Sequence, residues 1–153
     1  MNGNTEVVKA LLKEDCTLVH ALSEDGWSAL HLAAYFGHEE TVKVLIEFGA
    51  DVHLKAKNNN GNIPLHAAVA NKQLTIVKLL LEHGTDVHTT QSGGWTSLHE
   101  AALLGATDIV QVLIDNGADV HKTKDDGKSA LDVAIEKEQE AVIQLLQRVS
   151  TTR

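Results

Sequence analysis

One six-residue motif recurs four times along this chain of 153 residues, and it limits the folds that the chain can adopt. The motif reads Gly-x-(Ser/Ile/Thr)-(Ala/Pro/Ser)-Leu-(His/Asp), and it begins at Gly26, Gly61, Gly94 and Gly127, in steps of 35, 33 and 33 residues. A period of this length indicates supersecondary units that bury their apolar faces only by stacking on one another. The sequence therefore predicts a repeat array whose function lies on the stacked surface.

Each repeat is predicted to contain two short helices. In the repeat that begins at Gly26, Ser28 suits the N-cap of a first helix, because its hydroxyl can accept a backbone N–H. A second helix follows Gly37, and Gly49 suits the left-handed residue that ends it. The helical period gives each helix an apolar stripe for the core. The stripes consist of Leu30, Ala33 and Ala34 in the first helix and of Val42, Leu45 and Ile46 in the second.

The segment between a second helix and the next first helix has no helical period. From Ala50 to Gly61 it is polar near its tip, at residues 58–61, and it is predicted to form a hairpin-like loop. This repeat is two residues longer than the following ones, and we assign the insertion to Ala56 and Lys57. Loops of this kind project from the stacked helices.

These patterns resemble the ankyrin repeat. The resemblance rests on the first-helix motif at residues 25–38, 61–68 and 93–105 and on the period, and it covers nearly the whole chain. It implies an all-α solenoid of stacked helix–turn–helix units with projecting β-hairpin-like loops. Two positions depart from the family pattern, since Ile63 replaces the usual capping hydroxyl and Lys72 replaces the glycine between the helices.

The resemblance makes the chain a single ankyrin repeat domain with unlike ends. Residues 3–12 match only a second helix, so the first repeat is interpreted as truncated. In the last repeat Asp132 replaces the motif histidine, as suits a capping repeat with one face lacking a neighbour. The last apolar face comprises Val142, Ile143, Leu145 and Leu146. Within residues 1–153 the repeats are 1–22 (truncated), 23–57, 58–90, 91–123 and 124–153 (capping).

Charge and composition exclude several classes of partner. The chain has 13 Lys and Arg against 21 Asp and Glu, and this formal net charge of -8 disfavours nucleic acid. No apolar run approaches the roughly 18 residues of a membrane span. Cys16 is the single cysteine, so no disulfide can form within the chain, and a reducing, cytoplasmic location is expected. We expect a monomer without a cofactor.

Candidate partner-binding residues follow from helical geometry. At about 100° per residue, Tyr35 and Phe36 point away from the buried stripe, and Leu103 and Leu104 take the same places two repeats later. The resemblance implies that this outer face of the first helices, together with the loop tips, forms a concave binding surface. For the two tryptophans, the alternative is packing across adjacent loops. The predicted partner-binding residues are Trp27, Tyr35, Phe36, Asn62, Asn71, Trp95, Leu103 and Leu104.

The histidines are predicted to have structural roles. The resemblance implies that the motif residues His31, His66 and His99 tie helix starts to adjacent loops by hydrogen bonds. A second set has one member per repeat, and stacked units lie roughly 8 to 10 Å apart, too far for shared zinc ligation. In the family an asparaginyl hydroxylase modifies this loop position, so hydroxylation is the open alternative. The second set is His20, His53, His88 and His121.

The sequence offers no catalytic motif. It has neither a phosphate-cradling Gly-rich motif nor a nucleophile elbow, and Glu14 and Asp15 oppose thiolate formation at Cys16. The chain is therefore predicted to be a non-catalytic module that binds a partner protein on the concave face. The alternatives are a passive spacer or fragment of a larger ankyrin protein, and a designed scaffold, against which the irregular repeats argue. Outward aromatic side chains favour binding over a spacer role.

Overall fold

The apolar stripes of the repeats form pairs of short helices. The computed structural model describes residues 26–57 and 61–151, and the chain divides into two units, Met1–Thr85 and Asp86–Arg153. The helices of the first unit are α1 (Ala29–Phe36), α2 (Glu39–Glu47), α3 (Pro64–Ala70) and α4 (Leu74–Glu82). Those of the second unit are α5 (Ser97–Leu104), α6 (Thr107–Asp115), α7 (Ala130–Glu136) and α8 (Glu140–Thr151), after a 3-10 turn at Ser92–Gly94.

Within each unit the first helix of one repeat packs on the first helix of the next. In the first unit α1 contacts α2 and α3, and in the second α5 contacts α6 and α7. Isolated β-bridges join Gln91 to Trp95 and Thr123 to Ser129. The predicted all-α fold of stacked helical repeats is confirmed.

The predicted core stripes of the repeat at residues 23–57 are confirmed, with one correction. Ile46 is only half-buried, whereas Val44 is buried. The apolar stripe of α2 is therefore rotated towards Val44, a position that the sequence analysis left out. The predicted last apolar face is also buried, except that Ile143 is half-buried. The confirmed core residues are Leu30, Ala33, Ala34, Val42 and Leu45 in the first unit and Val142, Leu145 and Leu146 in the second.

The first helices begin at side-chain caps where the sequence supplies a hydroxyl. The Ser28 hydroxyl accepts a hydrogen bond from the backbone N–H of His31 at 3.3 Å, as predicted. At the equivalent place in α3, Ile63 provides no side-chain cap, and its own N–H donates to Nδ1 of His66 at 3.0 Å. Pro64 has no N–H to leave unpaired, so it suits the first position of this helix.

The turn between the two helices of each repeat requires a left-handed residue. Gly37 and Gly105 supply it with φ of 75° and 70°. At the same place Lys72 and Glu138 adopt φ of 54° and 55°, which is unfavourable for a residue with a Cβ. The replacement of glycine by Lys72 therefore leaves the turn unchanged and strains the backbone at that residue.

Two motif histidines, His31 and His99, tie the start of a first helix to the following loop. In the first unit Nε2 of His31 lies 2.8 Å from the carbonyl oxygen of Asn62. In the second unit Nε2 of His99 lies 3.2 Å from the carbonyl oxygen of Lys128. Both contacts agree with the role that the family resemblance implies for these histidines.

The same carbonyls close the loops and locate the insertion. The Asn62 oxygen accepts the N–H of Ala56, and the Lys128 oxygen accepts the N–H of Lys124, each at 2.8 Å. The first loop therefore has two more residues between its paired positions than the second. The assignment of the insertion to Ala56 and Lys57 is wrong for Ala56, which is a buried, paired residue. The extra residues lie within 57–61 of the sequence.

Several predictions fall on residues that the structure does not describe. The truncated first repeat, the proposed helix at 3–12, Cys16 and His20 all lie outside residues 26–57 and 61–151. Within those two ranges, no helix combines the length and the apolar character that crossing a bilayer requires.

Candidate functional site

Three aromatic side chains of the first unit form a continuous cluster beside α1. The ring of Trp27 lies edge-on to Tyr35, with centroids 5.8 Å apart, and Tyr35 lies edge-on to Phe36 at 5.1 Å. Trp27 also contacts the ring of His31 at 5.7 Å, so it is half-buried. The cluster brings together three of the predicted partner-binding residues. It combines a partly buried indole with rings that reach the surface.

The outer end of this cluster is open to solvent. Phe36 is 60% exposed and Leu32, four residues earlier on the same helix face, is 39% exposed. We call Trp27, Leu32, Tyr35 and Phe36 the aromatic patch. Exposed aromatic and aliphatic side chains that adjoin one another are typical of surfaces that bind other proteins.

Two polar side chains of the next repeat hold the backbone under the aromatic patch. Nδ2 of Asn71 and Nε2 of Gln73 donate to the carbonyl oxygen of Tyr35, at 2.8 and 3.2 Å. In the second unit, Nε2 of Gln139 donates to the carbonyl oxygen of Leu103 at 2.9 Å. Neither glutamine was among the residues predicted from the sequence. Their spacing of 66 residues, two 33-residue steps, was the signal that could have revealed them.

The expectation of an outward side chain fails for Asn62. Its side chain is only 6% exposed, and its Oδ1 has no hydrogen-bond partner among the described residues. The carbonyl oxygen of Asn62 bonds both His31 and Ala56, which holds the backbone of this residue against two other parts of the first unit. Asn62 therefore drops out of the candidate surface, whereas Asn71 is exposed.

In the second unit the corresponding tryptophan is covered by a cation. Nζ of Lys124 lies 4.3 Å from the ring centroid of Trp95, and it also donates to Asp126 at 3.0 Å. Leu103 and Leu104 are half-buried rather than fully outward. A partner that used the face of Trp95 would have to displace the lysine, which favours the aromatic patch of the first unit as the open apolar surface.

The last repeat replaces the aromatic pair by an ion pair. Lys128 and Glu136 occupy the places of Trp27 and Tyr35, and their side chains form a salt bridge. The hydrogen bond that Lys128 donates to the Glu136 carboxylate raises the pKa of Lys128 above its usual range. The same backbone positions therefore carry an aromatic contact in one repeat and an ion pair in another.

A half-buried carboxylate lies on the outer face of α5. The Glu100 side chain makes no hydrogen bond or ion pair with any residue in the described ranges. Burial raises the pKa of this carboxyl group above its ordinary value. An ionised carboxylate that is partly desolvated and unpaired is unfavourable for the fold, so its presence on a candidate surface is informative.

Two of the buried motif histidines, His31 and His99, are neutral in the folded protein. The Ser28 N–H donates to Nδ1 of His31 at 3.2 Å, so Nδ1 carries no proton and Nε2 donates to the Asn62 carbonyl. His99 has the same arrangement with Thr96 and Lys128. Burial lowers the pKa of both rings, against a smaller raising effect of the carbonyl acceptors.

The exposed loop histidines of the second set lie in turns of the same form. The backbone N–H groups of His53, His88 and His121 each donate to the carboxylate of the aspartate two residues earlier, at 2.8 to 2.9 Å. Among the residues that the structure describes, no three His, Cys, Asp or Glu side chains converge on a common metal position. Hydroxylation of these histidines remains a prediction.

A cleft of about 280 Å³ lies between the loops of the second unit. Its lining combines three apolar side chains with one threonine, one histidine, one aspartate and one lysine. None of the predicted partner-binding residues lines it. The lining residues are Val87, His88, Thr96, Leu98, Ala118, Asp119 and Lys122.

Comparison with known proteins agrees with this geometry. A family model described as ankyrin repeats (3 copies) matches residues 1–91 and 84–152. The chain is 45% identical over 74 residues to a transient receptor potential cation channel subfamily A member 1 homolog of Caenorhabditis elegans, covering 48% of this chain and 6% of the channel.

Two mouse proteins are also similar. Rabankyrin-5 is 46% identical over 54 residues, covering 35% of this chain and 4% of that protein. Protein phosphatase 1 regulatory subunit 27 is 38% identical over 64 residues, covering 42% of this chain and 40% of that subunit. The chain thus spans less than half the length of each of these relatives.

Proposed function

Because this chain belongs to the ankyrin repeat family, we propose that it is a non-catalytic module that binds a partner protein on its first helices and loop tips. Ankyrin repeats are generally protein–protein interaction modules and generally lack catalysis of their own. Fold membership does not identify a partner or a face, so the choice of surface depends on the side chains of this chain. We propose that it acts as a monomer in the cytoplasm, as the single cysteine and the acidic composition favour.

The aromatic patch supports this choice of surface. Phe36 and Leu32 are large apolar side chains with 60% and 39% exposure, and they adjoin Tyr35 and Trp27. Removing such side chains from water on binding contributes roughly 25 cal/mol per Å² of apolar area before the costs of association. Aromatic residues with few rotatable bonds are frequent hot spots of protein interfaces. The hydrogen bonds from Asn71 and Gln73 hold the backbone of Tyr35 in place for this contact.

The proposal is tested by a crosslinking pull-down from cell extract with the full chain as bait. The variant is Tyr35→Ala with Phe36→Ala, which removes the outer rings and leaves Trp27 packed on His31. The matched control is Ile135→Ala, which truncates another exposed apolar side chain, 49% exposed, in the capping repeat. Circular dichroism and thermal unfolding establish that both variants are folded.

We expect the intact chain and the Ile135→Ala control to retain the same partner, and the double variant to lose it. With the identified partner, the double variant should bind at least about tenfold more weakly by calorimetry, since each hot-spot truncation costs more than about 1 kcal/mol. Equal retention by all three proteins would contradict the choice of the aromatic patch. Retention by none would contradict a binding function under these conditions.

One observation supports a passive spacer as the second candidate. Lys124 covers Trp95, and Trp27 packs on His31, so both tryptophans are partly used inside the fold. A spacer needs no exposed ring, and therefore the 60% exposure of Phe36 distinguishes the two functions. A pull-down in which the double variant behaves as the intact chain would favour the spacer.

A further inference from the structure

We propose that the outer face of α5 receives a basic side chain of the partner, with Glu100 as its counter-ion and Leu103 and Leu104 as its apolar walls. This inference rests on the proposed binding function, and it names the chemistry of one anchor residue. The occupant is a polypeptide segment in which an arginine or a lysine stands beside apolar residues.

The helical register places these three side chains together. Leu103 and Leu104 follow Glu100 by three and four residues, so all three share one face of α5. Leu98 lies two residues before Glu100, about 200° around the helix, and is only 2% exposed. Glu100 therefore faces away from the core, and a leucine stands on each side of it. All three side chains are half-buried, so the carboxylate lies in a shallow depression and does not protrude from the surface.

Glu100 is unpaired in a setting where a carboxylate gains from a cation. No hydrogen bond or ion pair to its side chain occurs within residues 26–57 and 61–151. Lys124 of the same unit is held by the Asp126 carboxylate and the Trp95 ring. An incoming guanidinium or ammonium would offset the desolvation of the Glu100 carboxylate, and its aliphatic stem would pack on the two leucines.

The charge of the second unit is complementary to a basic segment. Between residues 86 and 149 there are 11 acidic and five basic side chains, whereas residues 26–57 and 61–85 of the first unit hold five of each. Over the whole units, residues 86–153 hold 11 acidic and six basic side chains and residues 1–85 hold ten and seven, so the unit that carries Glu100 has the larger share of the acidic surplus. A negative surface of this kind attracts basic segments at long range and repels acidic ones.

Selection from a random peptide display library on the full chain tests this inference. Three targets are compared: the intact protein, Glu100→Gln, and the matched control Asp115→Asn. Asp115 is exposed on α6 and its carboxylate accepts from Gln111, a bond that asparagine can keep. Both variants lose one negative charge from the same unit, and calorimetric unfolding confirms that they are folded.

We expect the intact protein and Asp115→Asn to enrich peptides in which Arg or Lys adjoins an apolar residue, and Glu100→Gln to lose that enrichment. A synthetic peptide from the intact selection should bind Glu100→Gln roughly tenfold more weakly than the other two proteins. In carbon-13 NMR the same peptide should lower the titration midpoint of the Glu100 carboxyl, an effect that a purely structural role would not produce.

Two results would overturn the inference, and they differ in what they leave standing. Peptides that lack basic residues, or basic peptides that bind Glu100→Gln unchanged, contradict the role of Glu100 and leave protein binding intact. Failure to enrich any sequence on all three targets contradicts the proposed function and the inference together.

Discussion

At the scale of single residues, Lys72 and Glu138 occupy backbone that suits glycine. Their φ values of 54° and 55° match the turn at which Gly37 and Gly105 stand in the other repeats. A side chain with a Cβ in this left-handed region crowds the neighbouring backbone, at a cost of about 1 kcal/mol or more. Both residues are exposed, so packing does not offset this cost.

We predict that Lys72→Gly stabilises the protein by about 1 kcal/mol, because the turn keeps its shape and the strain at the Cβ is removed. Urea denaturation followed by circular dichroism measures this difference. Lys78→Gly is the control, since Lys78 is exposed within α4, and glycine there should destabilise by about 1 kcal/mol. A destabilised Lys72→Gly would show that the lysine makes a contact worth more than the strain.

Partial burial of the ionised Glu100 carboxylate also destabilises the fold, and a second prediction follows from this cost. Burial raises the folded-state pKa of this carboxyl group, so the folded protein binds its proton more readily than the unfolded chain does. Stability therefore falls as the pH rises through the unfolded-state pKa, and above the folded-state pKa the ionised carboxylate imposes its full cost. Glu100→Gln should thus unfold at a higher urea concentration than the intact protein at pH 7.

Asp115→Asn serves as the comparison for Glu100→Gln, because it removes one charge from an exposed position of the same unit. Equal gains in the two variants would assign the effect to net charge rather than to burial of Glu100. A larger gain at Glu100 means that the chain keeps a carboxylate which the fold disfavours, as is frequent at binding sites.

At the scale of elements, the starts of α1 and α5 depend on a neutral histidine, whereas Asp132 takes this place in α7. Protonation of Nδ1 in His31 or His99 would place its N–H against the donating N–H of Ser28 or Thr96. Burial is the largest effect on both rings, and it lowers their pKa. At His99, Lys124 lowers the pKa further by a smaller amount, and Asp126 raises it. The carbonyl acceptors raise the pKa of both rings. The unfolded chain therefore takes up protons at a higher pH than the folded one.

We predict that the stability contributed by the neutral forms of His31 and His99 is fully present above about pH 6.5, the usual histidine pKa. This contribution should decline as the pH falls through that value towards the lower folded-state pKa of the two rings. Urea denaturation at pH 7.5, 6.5 and 5.5 measures the decline. The double variant His31→Gln with His99→Gln should be less stable at pH 7.5, by roughly 1 to 3 kcal/mol per site, and less dependent on pH. An intact protein equally stable at all three values would contradict this account.

The elements were predictable to the extent that local chemistry determines them. Ser28 and Gly37 cap and end α1 as the sequence indicates, and Phe36 is exposed as its place in the helical period requires. The prediction for Asn62 was wrong because its burial depends on a carbonyl oxygen that bonds both His31 and Ala56. Contacts across repeats are invisible to a period counted along one helix.

The candidate site was predictable in its positions but not in the state of its side chains. Trp27 and Trp95 occupy equivalent places, yet only the structure shows Lys124 on the ring of Trp95. Glu100 escaped the sequence analysis because an acidic residue on a helix face is ordinarily solvated. Its half-burial depends on the packing around α5, which a single repeat does not reveal.

At the scale of the whole molecule, charge is distributed unevenly along the chain. The first unit, residues 1–85, holds ten acidic and seven basic side chains, and the second, residues 86–153, holds 11 and six. Long-range attraction of a basic partner should therefore depend more on the second unit than on the first. Local apolar contact at the aromatic patch should depend little on salt.

We predict that association of a basic peptide selected on the intact chain slows as NaCl rises from 50 to 300 mM, by roughly threefold to tenfold, since mobile ions screen the acidic surplus. Stopped-flow fluorescence with a labelled peptide measures the rate. An apolar, uncharged peptide of equal length is the control and should associate at a nearly constant rate. A salt-independent rate for the basic peptide would exclude steering by the second unit.

The ties between repeats use backbone carbonyls, which every amino acid possesses. His31 bonds the carbonyl of Asn62 and His99 bonds that of Lys128, although one residue carries an amide and the other an ammonium group. The hydrogen bond between neighbouring repeats thus does not depend on the side chain at the loop position. Substitutions at this loop position can therefore change the binding surface, while the hydrogen bond that joins the repeats is kept.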